Sequence, residues 1–234
     1  MATLVSPRGI FIAAMALSWL LAGVVEFRAS RIPGGGGLPD AVTLGLLAQG
    51  LGFGLFSQRD QINDWLSVYL ANLLLVAAIS SLYLGVEKLR GAEGSLLVAV
   101  VLPGVIALLF PLIGLSDKTL AERVAVHAIV ACTGYLAVIV ASVSAIERGR
   151  RLGPLVIVTA LLAVFAAQVE RALAMNGERG GGLFAAQVAQ TVYAMVILVG
   201  IFVTVVGYIL MLTPRATSVE SGEPGAEAEA EAPA

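Results

Sequence analysis

Apolar residues run along the chain in seven blocks, near 9–27, 39–57, 65–86, 95–115, 121–146, 152–173 and 183–212, each bounded by charge or by Gly and Pro. A helix needs roughly 20 mostly apolar residues to cross a bilayer core, so the blocks predict seven transmembrane helices. The links between them are short, which predicts an all-α polytopic bundle over residues 1–212 with no extramembrane domain. The first block, Ile10 to Val25, runs into Glu26-Phe27-Arg28 with no small-residue cleavage pattern, so it is expected to be a retained span, not a signal peptide. Gly34 to Gly37, flanked by Pro33 and Pro39, predict a mobile loop after it. Pro103 and Pro111 each remove a backbone donor from the fourth block and predict a kink there, either lining a cavity or simply packed against neighbours.

Composition supports the pattern. Of 234 residues, 59% are hydrophobic and 13% charged, with a mean hydropathy of +0.94; soluble domains are about 25% charged. The net charge of −2 is set by the end of the chain, where Glu220, Glu223, Glu227, Glu229 and Glu231 lie among Ala, Gly, Ser and Pro. Such a segment buries too little apolar surface to fold, so residues 213–234 are expected to be a disordered acidic tail.

Basic residues orient the bundle. Arg28, Arg31, Lys88, Arg90, Arg148, Arg150, Arg151 and Arg215 fall on one side, and Arg8, Arg59, Lys118, Arg123, Arg171 and Arg179 on the other. The positive-inside rule then predicts an outside amino terminus and a cytoplasmic carboxyl terminus.

The stretch Gly50 to Gly91, GLGFGLFSQRDQINDWLSVYLANLLLVAAISSLYLGVEKLRG, resembles the membrane region at the amino terminus of bacterial diguanylate cyclases. A charged outer turn leads there to a Trp, an Asn in the next span and a Gly-plus-basic exit, which correspond here to Trp65, Asn72, Gly85 and Lys88 to Arg90. AERVAVHAIVA with Arg123, QVERAL with Arg171, and VGYILMLTPR at the last span look similar to the same sensor module, so the resemblance covers residues 40–215. It implies a bacterial cytoplasmic membrane location and a signalling role. The chain departs from the family in carrying no Gly-Gly-Asp-Glu-Phe segment, so the cyclase activity does not transfer and an effector in trans is expected instead.

Polar side chains inside spans are costly and mark the bundle interior, a partner or a cavity. Arg123 and His127 share a face of the fifth span, Gln168 and Arg171 a face of the sixth, and Gln187, Gln190 and Thr191 make a stripe on the seventh. Asn72 lies in the third span, about 10 Å from Trp65 by α-helical rise. All enter from the outer side, so Asn72, Arg123, His127, Gln168, Arg171, Gln187 and Gln190 are candidate ligand-binding residues, the arginines pairing an anionic group. The plainer reading is that they glue helices together, with Glu122 and Glu170 neutralising the arginines. His127 is the sole histidine and Cys132 the sole cysteine, which provides neither a metal cluster nor an intrachain disulfide. The last span has no Lys for a retinal Schiff base, and no phosphate loop, protease motif or nucleic-acid signature appears, so neither a catalytic site nor a cofactor is expected. Small-residue spacing such as Gly50 with Gly54 suits close helix packing or a homodimer alike.

These features predict a non-enzymatic membrane sensor that binds a small or lipophilic ligand. A small transporter or permease and a structural assembly subunit are the alternatives.

Overall fold

The computed structural model describes residues 7–31, 40–59, 61–63, 65–92, 99–101, 103–108, 120–147, 151–175 and 182–213, without the side chains of 120–123, 175 and 182–189. The predicted Gly-rich loop, Pro111 and nearly all of the acidic tail fall outside these residues. Each of the seven apolar blocks carries a helix. They are α1 (Pro7–Ala29), α2 (Ala41–Ser57), α3 (Ala71–Arg90), α4 (Ala99–Leu108), α5 (Leu120–Glu147), α6 (Leu152–Met175) and α7 (Gly182–Leu212). A π-helical turn, Trp65–Leu70, leads into α3. No strand occurs among the described residues. Helices dominate because a backbone in hydrocarbon must satisfy its own N–H and C=O groups.

Five of these segments are long and apolar enough to cross a membrane: Pro7–Ala29, Trp65–Arg90, Val124–Glu147, Leu152–Ala174 and Gln190–Leu212. α2 and the described part of α4 are equally apolar but shorter. Their outward faces carry large apolar side chains, such as Leu20 on α1, Leu51 on α2, Ile129 and Val140 on α5 and Val199 on α7. A surface of that kind fits contact with lipid, not water.

The helices close into a ring. α1 packs on α2, α2 on α3, α3 on α5, α5 on α6, α6 on α7, and α7 back on α1. α4 lies beside this ring: Ile106 is fully buried against Val76 of α3 and Val130 of α5, and the Tyr69 hydroxyl donates to the Ala107 carbonyl at 3.3 Å.

Side-chain contacts give the two ends of the bundle different character. At one, here the head end, Arg8 at the start of α1 donates to Gln61 (2.9 Å) and Gln58 (3.4 Å), just past α2. At the other, the tail end, Asp40 caps α2 by accepting from the Val42 N–H at 2.9 Å. The same Asp40 oxygen accepts from the Tyr208 hydroxyl of α7 at 2.9 Å, and Glu26 of α1 accepts from the Asp40 N–H at 3.2 Å. α3 also ends here, with Gly91 in the left-handed conformation at φ 73° and Arg90 paired to the buried Glu87. Gly85 lets α3 meet α7 across the ring, because a Cβ there would overlap Val42 and the Tyr208 ring.

Close approach elsewhere is also made by glycine. A Cβ on Gly153 of α6 would come within 2.7 Å of the Gly207 carbonyl oxygen of α7, so this pair sets the tightest backbone contact in the α6–α7 seam. Gly50 and Gly54, readable from sequence as either packing or dimer residues, face Trp19 and Met15 of α1 within the same chain.

Candidate functional site

Inside the ring lies a cavity of about 70 Å³ between α2, α3, α5, α6 and α7. That is roughly five times the space one water needs. The α7 residues that line it run from Tyr193 to Val205, a stretch of about 18 Å by helix rise. Most of its wall is apolar, from Leu46 and Phe53 of α2, Ile79 of α3, Leu161 and Val164 of α6 and Ile201 of α7. Toward the tail end its lining reaches Val42 and Val205, within about one turn of the Asp40–Tyr208 hydrogen bond.

The head end is polar. His127 and Tyr135 of α5 and Tyr193 of α7 line it. The Arg171 guanidinium sits 4.4 Å from the centre of the Tyr193 ring, a cation–π arrangement, and its Nε donates to Gln190 Oε1 at 2.8 Å. No carboxylate among the described residues lies within ion-pair distance of Arg171; the side chains of Glu122 and Arg123 lie outside the described residues.

Two buried groups here lack partners. Both Oε1 and Nε2 of Gln168 are unpaired, with the residue fully buried, and so is Nδ1 of His127. A buried polar atom without a partner costs roughly 1–3 kcal/mol, so His127 at the cavity wall and Gln168 on α6 are each held at some expense of stability.

Of the seven candidates read from sequence, His127 lines the cavity, and Arg171 and Gln190 bond to each other behind Tyr193, which also lines it, while Gln168 is not part of the lining. The side chains of Arg123 and Gln187 lie outside the described residues, although both positions are helical. Asn72 goes elsewhere. Its Nδ2 donates to the Val68 carbonyl at 2.6 Å, inside the π-helical turn, where the wider winding leaves carbonyls without their usual partners. The distance from Trp65 to Asn72 by uniform α-helical rise therefore does not apply, since that span opens as a π turn.

Sequence reasoning missed Gln49, Tyr135, Tyr193 and Thr204, all of which line the cavity. Gln49 had a usable signal, since an amide in the middle of an otherwise apolar span is costly. Tyr193 lies three residues past Gln190 and so shares its face. The tail-end group of Glu26, Asp40 and Tyr208 was missed as well. Glu26, near the end of the first span, tethers α1 to the start of α2 by accepting from the Asp40 N–H.

Among the described residues no three His, Cys, Asp or Glu gather to hold a metal ion. Comparison of the whole chain with protein-family models, with curated proteins and with solved structures gives no match in any of the three, so the reading of the site rests on its own geometry.

Proposed function

We propose that the chain is a non-enzymatic, seven-pass module of a bacterial cytoplasmic membrane that binds a small or lipophilic ligand in its central cavity and passes the bound state to a separate effector. The observation that carries the binding half is a largely apolar cavity whose polar end is lined by the unpaired Nδ1 of His127 and by Tyr193, against whose ring the Arg171 guanidinium stacks. The signalling half is supported by the resemblance of residues 40–215 to the membrane region of diguanylate cyclases.

Seven crossings are supported by helix direction. α3 and α5 both run from head end to tail end and pack side by side, so the chain between them must return across the bundle. α4 lies on that return path. α2, at 17 residues, is about 26 Å long, close to a bilayer core. Orientation is supported by Arg28, Arg31, Lys88, Arg90 and Arg151, which all sit at helix ends of the tail end. That end is cytoplasmic in this reading, with the cavity's polar mouth toward the outside.

Two measurements test it. Mass spectrometry of protein purified in lipid nanodiscs should release a co-purifying small molecule that is lost on Ala78→Phe, which fills the cavity from α3. A pull-down in mild detergent should recover a signalling protein. Protein that is empty, with no such partner and unchanged cyclic-di-GMP levels on deletion, overturns the proposal. Solute flux in proteoliposomes abolished by Arg171→Ala would replace it with a transporter.

A further inference from the structure

The size and lining of the cavity narrow the ligand class, given that the cavity is a ligand site. We infer that it takes a small uncharged hydroxyl compound, a short-chain aliphatic alcohol in chemistry, with its hydroxyl on His127 Nδ1 and its carbons against the aliphatic wall.

Volume sets the size. About 70 Å³ is roughly five times what one water needs, and a methylene group takes about as much room as a water. A molecule of about four or five non-hydrogen atoms fills such a space. A lipid or a long alkyl chain does not enter it.

The lining excludes charge. None of the residues that line the cavity is Asp, Glu, Lys or Arg. Arg171 lies behind the wall, with its guanidinium 4.4 Å from the centre of the Tyr193 ring and its Nε donating to Gln190. An ammonium would enter with no carboxylate to meet it, and a carboxylate with no guanidinium, and a buried charge without a partner is strongly disfavoured.

One polar anchor is left open. His127 is only 5% exposed, it lines the cavity, and its Nδ1 has no hydrogen-bond partner among the described residues. In one neutral tautomer that nitrogen carries a proton and in the other a lone pair, and a hydroxyl group accepts from the first and donates to the second. Water has the same ability, but most of the remaining wall is Leu, Ile, Val and Phe, and a space lined by such groups stays dry. A short alkyl group covers that wall while the hydroxyl meets the nitrogen.

The test uses the full chain in phosphatidylcholine nanodiscs, labelled with heavy-nitrogen histidine. His127 is the sole histidine, so a single imidazole reports by nuclear magnetic resonance. Added n-butanol should move the Nδ1 signal saturably and by more than the Nε2 signal. Affinity, taken against free aqueous concentration, should rise about fourfold per methylene from ethanol to n-butanol and stop rising beyond n-pentanol. Butanoate and butylammonium should bind at least about tenfold more weakly than the alcohol. These comparisons use the unaltered protein, and a folded Ala78→Phe variant should lose the response. Either ion binding as tightly as the alcohol, affinity climbing unbroken to n-octanol, an Nε2 shift as large as that of Nδ1, or a response that survives in folded Ala78→Phe overturns the alcohol inference while the cavity stays a ligand site. So does protein that releases a co-purified molecule yet answers no alcohol. Protein that answers no probe and releases no co-purified molecule overturns the cavity reading too.

Discussion

Gln168 is the residue where structure and stability part company. Its amide is fully buried with neither atom paired, and leucine has nearly the same volume. Gln168→Leu should therefore leave thermal unfolding in detergent unchanged or raise its midpoint, by up to about 1–3 kcal/mol of removed desolvation cost. The same variant should retain less ligand by mass spectrometry. If it unfolds the protein instead, the amide is holding helices together and the plainer reading of the polar stripe is right. Tyr208 predicts the opposite pattern. Its hydroxyl donates to Asp40 at 2.9 Å in a buried setting and joins α7 to the start of α2. Tyr208→Phe should lower stability by about 1–3 kcal/mol in a thermal or denaturant titration, since it removes a buried hydrogen bond to a carboxyl group while leaving that group's helix cap in place.

At the scale of elements, the α6–α7 seam depends on two glycines opposite each other. Gly153 and Gly207 bring the two backbones so close that a side chain on either meets main chain, which cannot rotate away. Gly207→Val is expected to cost about 1–3 kcal/mol or more by overpacking, read as a lower midpoint and a smaller yield of monodisperse protein. Gly23, on the outer face of α1, is the control, because a Cβ there meets nothing within 4 Å. Gly23→Ala should be neutral, or stabilising by up to about 1 kcal/mol from helix propensity. The start of the third span shows a different principle. There the π turn Trp65–Leu70 relaxes the hydrogen-bond ladder, Asn72 repairs it through the Val68 carbonyl, and Trp65 and Tyr69 pack together at 4.3 Å between ring centres. Paired aromatics at a span's entrance are the usual anchors at a membrane–water boundary.

For the whole molecule, the ring arrangement makes one cavity a shared property of five helices. A reporter test follows from the proposed topology. Green fluorescent protein fused after Leu212 should fluoresce and alkaline phosphatase at the same place should be inactive, with a cysteine at Asn63 reacting with an impermeant maleimide from outside. Active phosphatase after Leu212 would invert the bundle and turn the polar mouth of the cavity toward the cytoplasm.

Much of this was legible in the chain. The seven apolar blocks sufficed to place seven helices within a few residues, because in hydrocarbon a backbone has one economical way to bond to itself and length alone sets a span. His127, Gln168, Arg171 and Gln190 were conspicuous in the sequence, since a polar group in an apolar run stands out whatever surrounds it, and of these His127 lines the cavity while Arg171 bonds Gln190. Only the tertiary structure decided which of the polar groups meet. Asn72 has the same chemistry as Gln168, yet a local π turn consumes it, while Gln168 is buried with both amide atoms unpaired. Nor does helical periodicity tell a lining tyrosine such as Tyr193 from a packed one, because the apolar faces toward lipid and toward core are alike. The ring closure that makes the cavity comes from α7 returning to α1 and from glycines whose partners lie more than fifty residues away, as Gly153 has Gly207. Pairings of that kind are fixed by the shapes of facing side chains, and a one-dimensional pattern of polar and apolar residues holds no record of them.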